Sequence, residues 1–199
     1  MTALFADKID LDLPDGNIIY FPNFLEPIKA NFYFERLRRE IPWRQDDITV
    51  FGKVYPQPRL TALFSNNGKA YSYSNITMRP HRFIKEILEI KNLVETKSDV
   101  NFTTCLANLY RDGKDSNGWH ADNEKELGTN PIIASVSLGQ ERFFHLKHRT
   151  RKNLKHKLLL EHGSLLLSQG GTQHHWLHQI PKTTKPIGER INLTFRVIN

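Results

Sequence analysis

Hydrophobic and polar positions divide the chain into an early part with helical periodicity and a later part made of short strands. A strand over 17–24 precedes a helix that begins at Pro27 and ends before Pro42, since proline cannot continue a helix. Its apolar face is predicted to hold Ile28, Phe32, Leu37 and Ile41. A second helix begins near Pro80, where apolar residues up to Val94 share one face. Residues 48–76 carry short apolar runs broken by prolines and Asn-Asn-Gly, a pattern typical of hairpins.

After residue 100 the pattern changes to short strands joined by turns. The predicted strands are 102–110, 132–138, 142–147, 157–160, 164–168 and 190–198. Such a succession favours a jelly-roll-like double sheet or barrel. With the two helices, the chain is predicted to be an α+β protein.

Composition limits the class of protein further. A chain of 199 residues with 39% hydrophobic and 25% charged residues suits one compact domain. The segment 1–14 lacks the basic and apolar regions of a secretory signal, and no apolar run approaches the ~18 residues of a membrane span. The single cysteine, Cys105, suits a reducing compartment. We therefore expect a soluble, intracellular protein with no membrane partner.

Positive charge is concentrated in one stretch. The chain has 28 basic and 21 acidic residues, a formal net charge of +7, and residues 142–157 contain Lys, Arg and His but no Asp or Glu. Such a run attracts a phosphate backbone and releases its counterions. A solvated loop is the alternative interpretation.

The last predicted strand alternates strictly between polar and apolar residues. Its polar face holds Arg190, Asn192, Thr194 and Arg196. If this face lines the interior of a barrel, two buried guanidinium groups require anionic partners. A dicarboxylate would supply both, because guanidinium groups bind carboxylates in bidentate fashion. An exposed edge strand is the alternative.

A possible metal site begins at His120. Residues two apart in an extended segment face the same side, so His120 and Asp122 present an imidazole and a carboxylate together. The candidates for a second imidazole are His174, His175 and His178. Two imidazoles and one carboxylate on one face of Fe(II) leave open positions for a cosubstrate and O₂. Taken alone, a His-x-Asp pair also fits an ordinary surface segment.

Four motifs in order resemble one known family. They are Asn108-Leu109-Tyr110, His120-Ala121-Asp122, His178 and Arg190-x-Asn192-x-x-x-Arg196. With these motifs the chain resembles the AlkB family of Fe(II)/2-oxoglutarate dioxygenases, most closely its members that repair duplex DNA. The resemblance implies a single domain over 1–199 with a double-stranded β-helix (jelly-roll) core. Residues 101–199 would form that catalytic core, and 1–100 an extension with flanking helices and a nucleotide-recognition lid.

The resemblance also implies roles for the motif residues. His120, Asp122 and His178 would be the iron ligands. Asn108 and Tyr110 would hydrogen-bond 2-oxoglutarate, and Arg190 and Arg196 would hold its carboxylates, with Asn192 and Thr194 on the same face.

Residues for substrate recognition follow from the same resemblance. Val50, Phe51 and Gly52 resemble the finger that fills the gap left by a flipped base, a step costing a few kcal/mol. Tyr71 and Tyr73 would shape the base pocket, although Tyr73 replaces a phenylalanine usual in the closest relatives. Glu124 would contact the base and favour cationic lesions. The residues expected to contact the DNA backbone are Arg142, Lys147, Arg149, Arg151, Lys152, Lys182 and Lys185.

The implied activity is oxidative removal of alkyl groups from bases such as 1-methyladenine and 3-methylcytosine, with Fe(II), 2-oxoglutarate and O₂. The expected partner is double-stranded DNA, and the expected state is a monomer in the cytoplasm, or in the nucleus of a eukaryote. Three alternatives remain at this point: a related dioxygenase acting on RNA or protein, a catalytically silent nucleic-acid-binding module, and a cupin with unrelated chemistry.

Overall fold

A computed structural model describes residues 7–50, 52–69, 71–73 and 76–198, without the side chains of 50, 71–73 and 76. The helices are α1 (Pro27–Glu40), α2 (Lys85–Ser98) and the short α3 (Thr172–His175), with a 3₁₀ turn over Lys125–Leu127. The strands of the first half are β1 (Ile9–Leu11), β2 (Asn17–Phe21), β3 (Asp47–Val50), β4 (Lys53–Pro56), β5 (Leu60–Ser65), β6 (Tyr71–Tyr73) and β7 (Ile76–Met78). Those of the second half are β8 (Thr104–Tyr110), β9 (Asn117–His120), β10 (Ile133–Gly139), β11 (Arg142–His148), β12 (Lys155–Leu160), β13 (Ser164–Gln169), β14 (Trp176–Ile180) and β15 (Arg190–Arg196).

Two antiparallel sheets form the body of the fold. The larger has seven strands in the order β1-β2-β13-β10-β15-β8-β5, and the smaller has four in the order β12-β11-β14-β9. Strands β3 and β4 form one hairpin, and β6 and β7 form another. The predicted jelly-roll core is confirmed, together with its helices.

Alternation along β15 separates the core from the site. Ile191, Leu193 and Phe195 are fully buried in the main hydrophobic cluster with apolar residues of α1 and α2, whereas Arg190 and Arg196 line a cavity on the other face. The two helices therefore cover the outer face of the large sheet and leave its inner face for the site.

The predicted face of α1 is only half right. Leu37 and Ile41 are buried, but Ile28 is 83% exposed and Phe32 is 52% exposed. The helix turns Ala30 and Tyr33 inward instead. A small alanine lets the helix lie close to the sheet, and this preference does not show in a count of large apolar residues.

The first 100 residues are not structurally separate from the core. Strands β1, β2 and β5 all pair within the large sheet, so the expected boundary at residue 100 does not divide it. Strands β9 and β14, which sequence patterning did not predict, complete the small sheet. Within the described residues, no helix is long and apolar enough to cross a membrane.

Candidate active site

The space between the two sheets contains a cavity of about 290 Å³. Strands β8, β10 and β15 form one wall, and β9, β11 and β14 contribute to the other. The polar face of β15 lies toward this space, as its alternation predicted. The side chains meeting here come from distant parts of the sequence.

His120, Asp122 and His178 come together at one end of the cavity. Their ligand atoms all lie within 4.8 Å of one another, and His120 Nε2 is 3.8 Å from Asp122 Oδ1. His120 and His178 are paired across β9 and β14, and this pairing selects His178 from the three candidate histidines. His174 and His175 are exposed.

The protonation states suit a divalent metal ion, which needs a neutral imidazole and an ionised carboxylate. Burial, reinforced by His120, lowers the pKa of His178 to about 3. Burial would raise the pKa of Asp122, but Arg196 and the two histidines outweigh it, so this pKa lies below its ordinary value. His120 Nδ1 lies 2.7 Å from the Gly118 carbonyl oxygen, a contact that places the proton on Nδ1 and leaves Nε2 a lone pair. The donor set therefore fits Fe(II).

A second cluster of potential ligands, Asp15, His148 and His175, is less suited to a metal. The amides of Thr150 and Arg151 donate to His148 Nδ1 at 3.3 and 3.1 Å, so the proton of the neutral ring is on Nε2, the atom that faces Asp15. Arg151 already pairs with Asp15 at 2.9 Å. This cluster ties the turn before β2 to the end of β11.

Arg190 and Arg196 lie toward opposite ends of β15 and have different surroundings. Arg190 is 1% exposed; one of its nitrogens donates to Ser137 Oγ at 2.9 Å, and its Nε and Nη1 have no hydrogen-bond partner within the described residues. Burial lowers the pKa of Arg190 to about 10, which still leaves it charged at neutral pH. Arg196 donates to Asp122 Oδ2 at 2.9 Å. Arg190 thus has donors suited to a carboxylate, and Arg196 holds the candidate metal ligand Asp122 in place.

The other residues predicted to contact 2-oxoglutarate lie beside these arginines. Tyr110 lies under the Arg190 guanidinium, 5.2 Å from ring centroid to guanidinium carbon. Asn192 donates to Ser135 Oγ at 2.7 Å, and Thr194 donates to Asn192 Oδ1 at 2.9 Å. Asn108 accepts a 2.8 Å hydrogen bond from Arg59.

Residues predicted for substrate recognition are only partly described. Phe51 lies outside the described residues, as do the side chains of Val50, Tyr71 and Tyr73; Gly52 is exposed, with φ of +74° in the turn of its hairpin. Glu124 lines the cavity, and its Oε2 is buried without a hydrogen-bond partner among the described residues.

The basic residues divide into an exposed set and one exception. Lys147 is partly exposed, and the exposed members are Arg149, Arg151, Lys152, Lys182 and Lys185. Arg142 is only 4% exposed and donates to the carbonyls of Asp112, Asp115 and Pro181. The prediction that Arg142 contacts DNA is therefore wrong, because its guanidinium forms hydrogen bonds with three backbone carbonyls inside the protein.

Three buried or half-buried side chains of the site escaped sequence reasoning. Arg59 also donates to the side-chain oxygen of Asn117, whose amide lies 3.1 Å from His120 Nε2. Gln173 accepts from the Asp122 amide at 2.9 Å and donates to Ser168 Oγ at 2.8 Å. The contacts of Arg59, and that between Gln173 and Asp122, join residues far apart in sequence, so local spacing gave no signal for Arg59 or Gln173.

A facial triad of candidate ligands beside a cavity with a buried arginine is typical of one class of protein, the iron-dependent oxygenases that use 2-oxoglutarate as cosubstrate. The model of the 2OG-Fe(II) oxygenase superfamily matches residues 17–196. "Alpha-ketoglutarate-dependent dioxygenase alkB homolog 3" of Bos taurus is 39% identical over 191 residues, which cover 89% of this chain and 64% of that protein. "DNA oxidative demethylase ALKBH2" of Arabidopsis thaliana is 37% identical over a match that covers 94% of this chain and 68% of that protein. The chain belongs to the AlkB family of this superfamily.

Solved structures agree with the fold. "The structure of OsALKBH1" superposes with a TM-score of 0.67 at 16% identity, covering 96% of this chain and 99% of that one. A prolyl hydroxylase from Trichoplax adhaerens gives a TM-score of 0.62 at 13% identity, covering 91% and 83%. The chain spans slightly less than two thirds of the length of the bovine relative, at 64%.

Proposed function

We propose that this protein oxidatively demethylates N-alkylated bases, such as 1-methyladenine and 3-methylcytosine, in DNA. The methyl group, 2-oxoglutarate and O₂ give a hydroxymethyl base, succinate and CO₂, and the hydroxymethyl base then releases formaldehyde. One observation carries the proposal: the triad, the buried Arg190 and the buried oxygen of Glu124 line a single cavity. The names of the relatives, which include "DNA oxidative demethylase", support the same reaction.

The protein's own residues would position the reactants. His120, Asp122 and His178 would hold Fe(II), which supplies the oxidising chemistry when it is bound with 2-oxoglutarate and O₂. Arg190 would bind one carboxylate of 2-oxoglutarate, since it lines the cavity and its Nε and Nη1 have no hydrogen-bond partner among the described residues. Arg196 would bind the other carboxylate while it keeps Asp122 oriented. Tyr110, Asn108, Asn192 and Thr194 would complete the wall around the cosubstrate.

The lesion would be bound as a cation. A buried carboxylate oxygen without a hydrogen-bond partner is costly, and a positively charged methylated base beside Glu124 would offset that cost. Tyr71 and Tyr73 would shape the base pocket, with one ring stacked against the flipped base.

The remaining polymer would be held by its backbone. The exposed Arg149, Arg151, Lys152, Lys182 and Lys185, together with Lys147, would contact phosphates without reading sequence. Val50, Phe51 and Gly52 would occupy the gap in a duplex from which the base is flipped. We propose double-stranded DNA as substrate and a monomer as the active state.

Mass spectrometry of a methylated oligonucleotide tests the proposal. The protein is incubated with Fe(II), ascorbate, 2-oxoglutarate and a duplex carrying one 1-methyladenine. The expected result is that the oligonucleotide loses the mass of the methyl group, and does so only when 2-oxoglutarate is present. Turnover of 2-oxoglutarate only with methylated RNA or a peptide, with the DNA unchanged, would contradict the proposal.

A further inference from the structure

The outer face of the small sheet is a surface from which the proposed function uses only Lys147. In β11, Phe144 and Leu146 line the cavity, so the alternate residues Phe143, His145 and Lys147 lie on the opposite side. Strand pairing places further residues beside them. His145 is flanked by Lys157 of β12 on one side and by Gln179 of β14 on the other. The residues of this outer face are Trp119, Phe143, His145, Lys147, Lys155, Lys157, Leu159, Leu177 and Gln179.

Charge and aromatic rings are combined on this face. The nine residues of this face include three lysines and no acid, while Trp119 is 39% exposed and Phe143 is 43% exposed. Lys147 Nζ lies 4.2 Å from the Trp119 ring centroid, and Lys157 Nζ lies 3.6 Å from that of Phe143. Each ring is therefore exposed and has a cation at its face.

We infer that this outer face binds an unpaired segment of nucleic acid, with bases stacked on Trp119 and Phe143 and phosphates held by Lys147, Lys155 and Lys157. Sequence-independent binding of single strands combines a cationic surface with aromatic rings on which bases stack. An exposed cation–π contact is weaker than base stacking, so a base displaces the lysine from the ring and the lysine moves to a phosphate. The inference rests on the proposed function only in taking nucleic acid as the partner.

The position of the face suits a strand that also enters the active site. Trp119 precedes the proposed ligand His120 in β9, the edge strand of the small sheet. Successive side chains of a strand point to opposite faces, so His120 lies in the cavity and Trp119 on the outside. The face spans three strand spacings, about 14 Å, and a strand leaving the cavity reaches it around the β9 edge.

Charge argues against two other occupants. A second copy of this chain would bring lysines against lysines, which is unfavourable. An acidic protein would satisfy the lysines but would not use the flat faces of two exposed rings. Competition with polyglutamate therefore separates an acidic partner from a single strand.

Binding of a labelled oligothymidylate of about a dozen nucleotides, a length suited to one such site, tests the inference. Fluorescence anisotropy is measured on the full chain across a salt series. Lys157→Glu should weaken binding about tenfold and lower the slope of log K against log salt by about 0.7 for the lost phosphate contact. The matched control is Lys97→Glu, which makes the same charge change beside another aromatic residue, Phe21, and should change affinity less than about twofold because distant charges are screened.

An aromatic variant supplies the second test. Phe143→Ala should weaken binding by about fivefold or more, in line with the loss of one stacked base, and leave the salt slope unchanged because no charge is lost. Phe32→Ala, at an exposed ring on α1, is its control. Quenching of tryptophan fluorescence by the oligonucleotide should disappear in Trp119→Phe.

Two results would overturn the inference. One is an equal effect of Lys157→Glu and Lys97→Glu, which would show that the overall charge of the protein determines the affinity. The other is displacement of the oligonucleotide by polyglutamate at equal charge concentration, which would assign the face to an acidic partner. Binding of an unmodified strand needs no turnover, so failure of demethylation with this binding intact would contradict the proposed function alone.

Discussion

At the scale of single residues, the proposed iron ligands differ in how much they contribute to the stability of the fold. Asp122 forms a buried ion pair with Arg196, with side-chain exposures of 9% and 7%, while His120 is partly exposed. Removing one partner of a buried pair leaves the other charge uncompensated. Asp122 is therefore expected to contribute to stability as well as to metal binding.

The variants His120→Ala and Asp122→Ala should separate these two roles. Both should lose Fe(II) binding in an anaerobic titration. Asp122→Ala should also lower the free energy of unfolding by about 3 kcal/mol, whereas His120→Ala should change it by less than about 1 kcal/mol. Unchanged iron affinity in both variants would contradict the assignment of the metal site.

Glu124 is expected to determine preference for charged lesions. Glu124→Gln keeps the shape of the side chain and removes its charge, so kcat/KM for 1-methyladenine should fall about tenfold, equivalent to about 1.4 kcal/mol of lost attraction. The value for a neutral lesion such as 3-methylthymine should fall much less. Equal losses on both lesions would show that the carboxylate does not act through its charge.

At the scale of elements, the sequence predicted regular patterns well and local geometry poorly. The alternation of β15 correctly predicted a polar face toward the cavity and an apolar face toward the helices. Strand β9 was not predicted, because its four residues lie in a stretch rich in Gly, Asp and Asn. Its pairing with β14 across His120 and His178 depends on the tertiary fold.

The turn between β8 and β9 is held by a charge pair whose strength depends on pH. Arg111 donates to Asp115 at 2.8 and 2.9 Å. Burial would raise the pKa of Asp115, but the bonds from Arg111 outweigh it and lower this pKa below its ordinary value. The stabilisation is therefore complete above the unfolded pKa of about 3.9 and is lost as pH falls through the lower folded value.

Asp115→Asn tests this effect on stability. At pH 7 it should lower the free energy of unfolding by about 1–2 kcal/mol, and the difference from the parent should shrink as pH falls below about 4. Asp47→Asn, which alters an exposed carboxylate, is the control for denaturant unfolding at each pH. A difference that stays constant with pH would contradict the ion-pair explanation.

The β3–β4 hairpin carries the prediction that concerns duplex opening. Phe51→Ala should lower demethylation of a duplex by about tenfold or more, because base flipping costs a few kcal/mol that an apolar wedge offsets. Activity on the same lesion in a single strand should change little. Phe32→Ala is a control for loss of an exposed ring, and equal losses on both substrates would exclude a wedge.

At the scale of the whole molecule, the site results from pairing between distant segments. Arg59 and Asn108 meet because β5 pairs with β8, and Gln173 reaches Asp122 across 51 positions. The resemblance to a family identified the candidate ligands from four short motifs. Nothing in those motifs indicated Arg59 or Gln173, which form hydrogen bonds with motif residues. It also gave no warning that Arg142 is buried, because a basic run does not reveal which of its members point inward.

The central proposal is that one cavity binds iron, 2-oxoglutarate and an alkylated base. Its most direct test is to measure succinate and formaldehyde together on a methylated duplex, with the parent chain, His178→Ala, and His174→Ala as the exposed histidine control. We expect equal amounts of both products from the parent chain and His174→Ala, and neither product from His178→Ala. Formaldehyde release that survives in His178→Ala, or succinate formed without formaldehyde in the parent chain, would contradict the proposal.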